Sequence, residues 1–203
     1  MKHQELLSPL DNRYSKKIIE LANNFSETNL NKTRFEIEID WIIFLTTKCG
    51  KNFKPLSSAA KKNLLAIRKS FDGKSAKRIK TIESKTNHDV KAVEYFIREE
   101  MNKFSNLKKY QHLVHFALTS EDVNSLSYAV LLRDAKDIYI KKLDILIKDL
   151  NSKSKSWAIL PLLARTNGQA ASPSTIGKEI KAVHKRLLRT KEIQKKMKTK
   201  KKI

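Results

Sequence analysis

From Val123 to Leu150 the chain runs without a glycine or a proline, and apolar residues return at helical spacing: Val123, Leu126, Val130, Ala135, Ile138, Leu143, Leu146, Ile147 and Leu150. That pattern predicts one uninterrupted amphipathic helix, a rod of about 40 Å at 1.5 Å per residue. A rod that long, apolar along one side, is stable only against neighbours of similar length. This points to a helical bundle completed by other helices or other subunits. Four glycines and four prolines in 203 residues supply too few turns for a β architecture, so the expected fold class is all-α.

Further helices are predicted from Lys16 to Phe25, from Asn31 to Cys49 and from Ser57 to Phe71. In the second of these, Phe35, Ile39, Ile42, Ile43 and Leu45 form the apolar face, Trp41 anchors core, and Gly50 provides a stop. The third ends at Asp72-Gly73. Residues 1–110 are expected to form an N-terminal helical domain, residues 111–190 the start of a central bundle, and residues 191–203 a basic, disordered tail. From Lys181 to Ile203 there are eleven Lys or Arg against the single Glu192, leaving little to bury beyond Gln194.

Three junctions carry more hydrogen-bonding groups than a plain connection needs. At Thr86-Asn-His-Asp89 the spacing of Thr86 and Asp89 reads as a capping box, which places Asn87 and His88 in the first turn of a helix. A histidine there feels the positive end of the helix dipole and is suited to meet an anion or to move a proton. Thr119 and Asp122 have the same spacing, with Ser120 and Glu121 between them. In Leu163–Glu179, Ser172 reads as an N-cap, Pro173 as the first helical residue, and Arg165, Thr166, Asn167 and Gln169 cluster before them. Free N–H groups at helix starts suit anionic ligands, although each junction taken alone is equally a solvated cap. Arg13 and Tyr14, ending the turn-forming run Ser8-Pro-Leu-Asp-Asn-Arg-Tyr14, add a cation and a phenol. His112 and His115 read as packing or surface residues, and no metal-ligand spacing is present.

The net charge of +22 raises the prospect of nucleic-acid binding. Against a specific role, the excess is mostly lysine spread along every segment, and no zinc, stacking or helix-turn-helix signature accompanies it. Weak adhesion to polyanions is the expectation. Cys49 is the single cysteine, which rules out an internal disulfide framework and suits a reducing, cytoplasmic setting. No stretch is apolar enough for a membrane span.

Three runs together carry a family resemblance: Ser8–Tyr14, Arg78-Ile-Lys-Thr-Ile-Glu-Ser-Lys-Thr-Asn-His-Asp-Val-Lys-Ala-Val-Glu-Tyr-Phe96, and His115-Phe-Ala-Leu-Thr-Ser-Glu-Asp-Val-Asn124, followed by Pro173-Ser-Thr-Ile-Gly-Lys-Glu179. The sequence resembles the adenylosuccinate lyase family of bacterial purine-biosynthesis type, in the fumarase/aspartase superfamily. The resemblance implies an all-α homotetramer whose long helices form a shared central bundle. It also implies elimination of fumarate from adenylosuccinate, giving AMP, and from the succinylated carboxamide ribotide, without metal or organic cofactor. It assigns substrate binding to Arg13, Tyr14, Asn87, His88, Asp89, Thr119 and Ser120.

Two departures follow from the same resemblance. The family's Thr-His-Gly-Gln motif holds its general acid, but here Thr166 is followed by Asn167, an amide that cannot give up a proton near neutral pH. The family also continues through a Gly-Ser-Ser-x-Met-Pro-x-Lys-x-Asn-Pro loop bearing the serine base, which this sequence does not contain. The expectation is therefore a truncated, inactive portion of such a lyase. The alternative is a non-catalytic module that binds a purine nucleotide, forms homo-oligomers, or assembles with a full-length lyase.

Overall fold

The computed structural model describes residues 8–11, 13–49 and 52–197. The expected stop at Gly50 lies outside the described residues. Seven helices and one small hairpin account for the regular structure among those residues, so the fold is all-α. It divides into two compact units, with the boundary between Leu132 and Arg133, inside the longest helix.

The first unit is built on α2 (Glu27–Lys48). Ser26 caps it by accepting the Asn29 N–H, and Phe35, Ile39, Ile42 and Leu45 are buried along one stripe. Ile43 is only partly buried. Trp41 packs at the margin of this core, stacked on Phe44, while its indole N–H donates to the Phe116 carbonyl at 2.9 Å. Before α2, a 3-10 turn at Ser15–Lys17 leads into the short α1 (Ile19–Phe25), which trims the predicted helix at its start. The Asn24 amide donates to the Leu131 carbonyl at 2.9 Å.

Helix α3 (Ser58–Lys69), capped by Ser57, stops short of Phe71. The reason is Asp72, which does not end α3 but begins α4 (Gly73–Thr86) through a reciprocal capping box with Ser75. This helix was not anticipated. Helix α5 (Asp89–Asn102) follows and contributes Val93, Phe96, Ile97 and Met101 to the core shared with α2, α3 and α4. Tyr110, in a following 3-10 turn, is buried with its hydroxyl donating to the Pro55 carbonyl at 2.7 Å.

Helix α6 runs from Ser120 to Ser156, 37 residues, longer at both ends than its apolar repeat suggested. Thr119 and Asp122 form the expected box: the Thr119 N–H donates to the Asp122 carboxylate at 2.7 Å and the Asp122 N–H to the Thr119 hydroxyl at 3.3 Å. Val123, Leu126, Leu143 and Ile147 are buried, whereas Leu146, Leu132, Tyr139 and Ile145 are exposed.

In the second unit, β1 (Pro161–Thr166) pairs antiparallel with β2 (Gln169–Thr175), joined by Asn167-Gly168. Both turn residues are left-handed, at φ 48° and 79°, as a two-residue hairpin turn of the primed type demands. This corrects the expected helix start at Ser172. Pro173 lies in β2 opposite Leu163, and Thr175 is the N-cap of α7 (Ile176–Lys196), accepting the Lys178 N–H. The Asn-Gly turn and the strand-compatible flanks outweigh the local Ser-Pro capping signal. Helix α7 carries helical structure into the segment expected to be tail; residues 198–203 lie outside the described residues.

Helix α7 runs back along α6: Lys181 donates to the Asn151 side chain at 2.7 Å, and Lys191 pairs with Asp144. At Gly177 the start of α7 lies against the end of α6 and the turn that follows it. A Cβ there would lie 2.5 Å from the Ser154 carbonyl oxygen and 2.6 Å from the Ala158 Cα, backbone atoms that cannot swing aside. Gly177→Ala should therefore destabilise the chain by about 1–3 kcal/mol despite alanine's better helix propensity. Chemical denaturation monitored by circular dichroism checks this, and an unchanged or raised midpoint would contradict the close packing.

Candidate functional site

The α4–α5 junction differs from its sequence reading in a way that matters chemically. Thr86 is the last residue of α4, and its hydroxyl donates to the Ile82 and His88 carbonyls, so it caps nothing. Asn87 is the left-handed C-cap at φ 49°, with its N–H on the Glu83 carbonyl at 2.8 Å. His88 is itself the N-cap of α5: its Nδ1 accepts the Lys91 N–H at 3.3 Å. Neither Asn87 nor His88 is in the first helical turn, because α4 consumes the threonine that would have capped it. An Nδ1 that accepts leaves the ring proton on Nε2, so His88 presents an exposed N–H donor beyond the helix start.

Asp89 is the first residue of α5. Its Oδ1 accepts the Val90 N–H at 2.8 Å and its Oδ2 pairs with Arg34 at 2.7 Å. Burial pushes the carboxyl up, but the Val90 N–H and the Arg34 guanidinium outweigh it and hold it below the ordinary carboxylate value.

Arg34 is the residue that sequence reasoning missed. It sits on α2, 5% exposed, amid the apolar stripe. Besides Asp89, its Nε donates to the Asn124 side-chain oxygen at 2.9 Å and its Nη1 to that of Asn31 at 3.2 Å. Asn124 is in the first turns of α6, which begins at Ser120 directly after Thr119. One guanidinium thus brings the Asn87–Asp89 and Thr119–Ser120 junctions together. One turn further along α2, Glu38 is completely buried and holds the segment that leads into α6. Its Oε2 accepts the His115 N–H at 3.0 Å, and its Oε1 lies 2.6 Å from His115 Nδ1. His115 and Ala117 both have left-handed backbone, at φ 62° and 57°, so this clamp fixes a segment that few residues adopt unaided. The signal that could have exposed Arg34 and Glu38 was their phase: both fall on the buried side of a helix that otherwise presents Phe35, Ile39 and Ile42.

The remaining predicted residues are placed separately. Arg13 lies over the ring of its neighbour Tyr14 at 5.5 Å, and both are exposed. Among the described residues, no hydrogen bond or ion pair ties either to the two junctions. Asn167 and Arg165 belong to the second unit, Asn167 at the exposed tip of the hairpin.

A model of a lyase family matches residues 12–202, and the chain belongs to that family. Among its relatives are adenylosuccinate lyases. The chain is 43% identical to that of Haemophilus influenzae over 185 residues and 43% identical to that of Escherichia coli strain K12 over 188. It is 37% identical to that of Buchnera aphidicola from Acyrthosiphon pisum over 195. The first two matches cover 90% of this chain and 41% of each relative, so the chain spans about two fifths of the length of these relatives. A crystal structure of a fumarate lyase from Mesorhizobium sp. BNC1 shares the fold with a TM-score of 0.71 at 14% identity, covering 87% of this chain and 39% of that one.

The Glu38–His115 clamp makes stability depend on pH. The hydrogen bond to Glu38 raises the His115 pKa above its ordinary 6.5, against burial, with the charges of Glu38 and Glu94 adding to it and Lys91 subtracting. A group raised in the folded state stabilises fully below its unfolded value and loses that contribution as pH climbs through the folded one. The melting temperature should fall as pH rises above 6.5. In His115→Asn, which tolerates the left-handed backbone, that fall should shrink; an identical pH profile in the variant would contradict the clamp.

Proposed function

We propose that this chain forms part of an adenylosuccinate lyase site, taking the purine nucleotide partner (adenylosuccinate or AMP) between the Asn87–Asp89 and Thr119–Ser120 junctions. The observation that carries the reading is the shared Arg34 anchor, which sets two helix starts side by side. Helix starts present N–H groups and positive dipole ends to phosphate and carboxylates. His88 Nε2, the Asn87 amide and the Ser120 hydroxyl add neutral donors that can orient without competing for charge. Arg13 and Tyr14 supply a cation and a ring at a separate turn. The relatives' identity supports the nucleotide as ligand.

Elimination of fumarate needs a base for a weakly acidic carbon-bound proton and an acid for the departing nitrogen. Asn167 stands where the family's acid stands, and its amide keeps hydrogen bonding while withholding a proton. We therefore expect the 203-residue chain to bind AMP but to release no fumarate from adenylosuccinate. Calorimetric titration with AMP and a continuous fumarate assay check the two halves separately. Fumarate release that Asn167→Ala abolishes would overturn the inactive assignment.

The exposed apolar residues Leu132, Tyr139, Ile145 and Leu146 on α6 favour an oligomeric state, as homo-oligomer or in co-assembly with a full-length lyase. Among the described residues no helix is long and apolar enough to cross a membrane, in keeping with a cytoplasmic site of action in purine biosynthesis. Light scattering of the purified chain should give a mass above that of one 23.5 kDa protomer. A monodisperse monomer at micromolar concentration, together with failure to co-purify with an intact lyase, would remove the assembly reading.

A further inference from the structure

We propose that Arg34 is a positioning residue for the nucleotide site: it acts through Asp89 and Asn124 to fix the spacing between the start of α5 and the start of α6. The inference rests on the nucleotide-binding reading above. Among the described residues no hydrogen bond or ion pair joins Arg34 to His88 or Ser120. Its three acceptors are Asn31 at 3.2 Å on its own helix, Asp89 at 2.7 Å on α5 and Asn124 at 2.9 Å on α6. A planar guanidinium with donors in a fixed fork can satisfy three such partners at once, and a lysine ammonium cannot hold them at the same angles.

The cost of this arrangement argues that it serves position and not stability. Burying a guanidinium in a helix face that otherwise carries Phe35 and Ile39 sacrifices its hydration, and the pairing recovers that loss only in part. A methionine of similar length would fill the same space with apolar contacts. Asp89 is half-exposed, with 47% of its side chain accessible, and Asn124 is partly accessible, so both would be rehydrated if Arg34 were replaced, whereas Asn31, 2% exposed, would be left with a buried amide oxygen lacking this donor. Stability alone would be served as well by apolar residues in place of both Arg34 and its buried partner Asn31. What does need the guanidinium is the register between the two helix starts, since Arg34 is the group that hydrogen-bonds both. Glu38, one turn along α2, secures the incoming segment at His115; among the described residues no hydrogen bond or ion pair joins it to α5's first turn.

The test uses the full 203-residue chain and AMP as the probe. Arg34→Met should still fold, with a modestly lower melting temperature from the orphaned Asn31 amide, yet bind AMP about tenfold or more weakly. Arg34→Lys, which keeps the charge facing Asp89, should fall between them. Asn124→Ala should weaken AMP binding, and the Arg34→Met/Asn124→Ala double variant should bind no more weakly than Arg34→Met alone, because both act through one link. Hydrogen exchange gives a readout independent of ligand: the Val90, Lys91 and Asp122 amides should exchange faster in Arg34→Met while those of Ile39 and Ile42 do not. Equal AMP affinity in parent and Arg34→Met, or fully additive losses in the double variant, would overturn the positioning role. Unchanged exchange at Val90, Lys91 and Asp122 would overturn it by itself, whatever AMP does. Failure of the parent to bind AMP would instead sink the nucleotide reading on which the proposal rests.

Discussion

Two buried charges on α2 organise the first unit. Arg34 and Glu38 lie one turn apart on the helix that anchors the core, and each is spent on a segment distant in sequence: Arg34 on Asp89 and Asn124, Glu38 on His115. Isolated charges in an apolar interior are strongly unfavourable, so each demands its partner in one geometry. Apolar contacts between α2, α5 and α6 would tolerate small slides of one helix along another. A guanidinium with three acceptors and a carboxylate with two donors from one residue do not. The helix starts that the functional reading depends on are therefore located by the polar minority of the core and not by its apolar bulk.

The hairpin turn separates backbone geometry from side-chain chemistry. Asn167 occupies a left-handed position that asparagine and histidine both accept more readily than most residues. The turn is thus compatible with a histidine as well as with the amide that stands here. Gly168, at φ 79°, supplies the second left-handed residue that a two-residue turn needs. A turn can in this way keep its backbone whichever side chain it carries, because turn geometry constrains backbone torsions and leaves proton affinity free.

Charge is distributed with little structural consequence. Lys80 with Glu27, Arg78 with Glu99 and Lys153 with Asp149 are exposed pairs worth little in water. The positive excess acts instead through its summed field, which favours the approach of anionic ligands to any part of the surface. Specific recognition has to come from fixed donors. Backbone groups at helix starts are oriented by the fold and do not have to be ordered at binding.

What the sequence determined by itself were the features encoded within a turn or two of the chain. The long helix, the apolar stripe of α2 and the Thr119–Asp122 box follow from periodicity and cap spacing, and the family runs identify the lineage. Helix limits failed where two local signals competed. Asp72 served α4 rather than ending α3, Thr86 was taken by α4 so that His88 became the cap, and the Asn167-Gly168 turn displaced the Ser172 start to Thr175. Tertiary structure alone decided that Arg34 would join α5 to α6 and that Glu38 would hold His115, pairings that span 55, 90 and 77 residues of sequence. Periodicity marks Arg34 and Glu38 as charges on a buried face. It cannot name their partners, because a charge finds its counterpart through the packing of whole helices and not through neighbours in the chain.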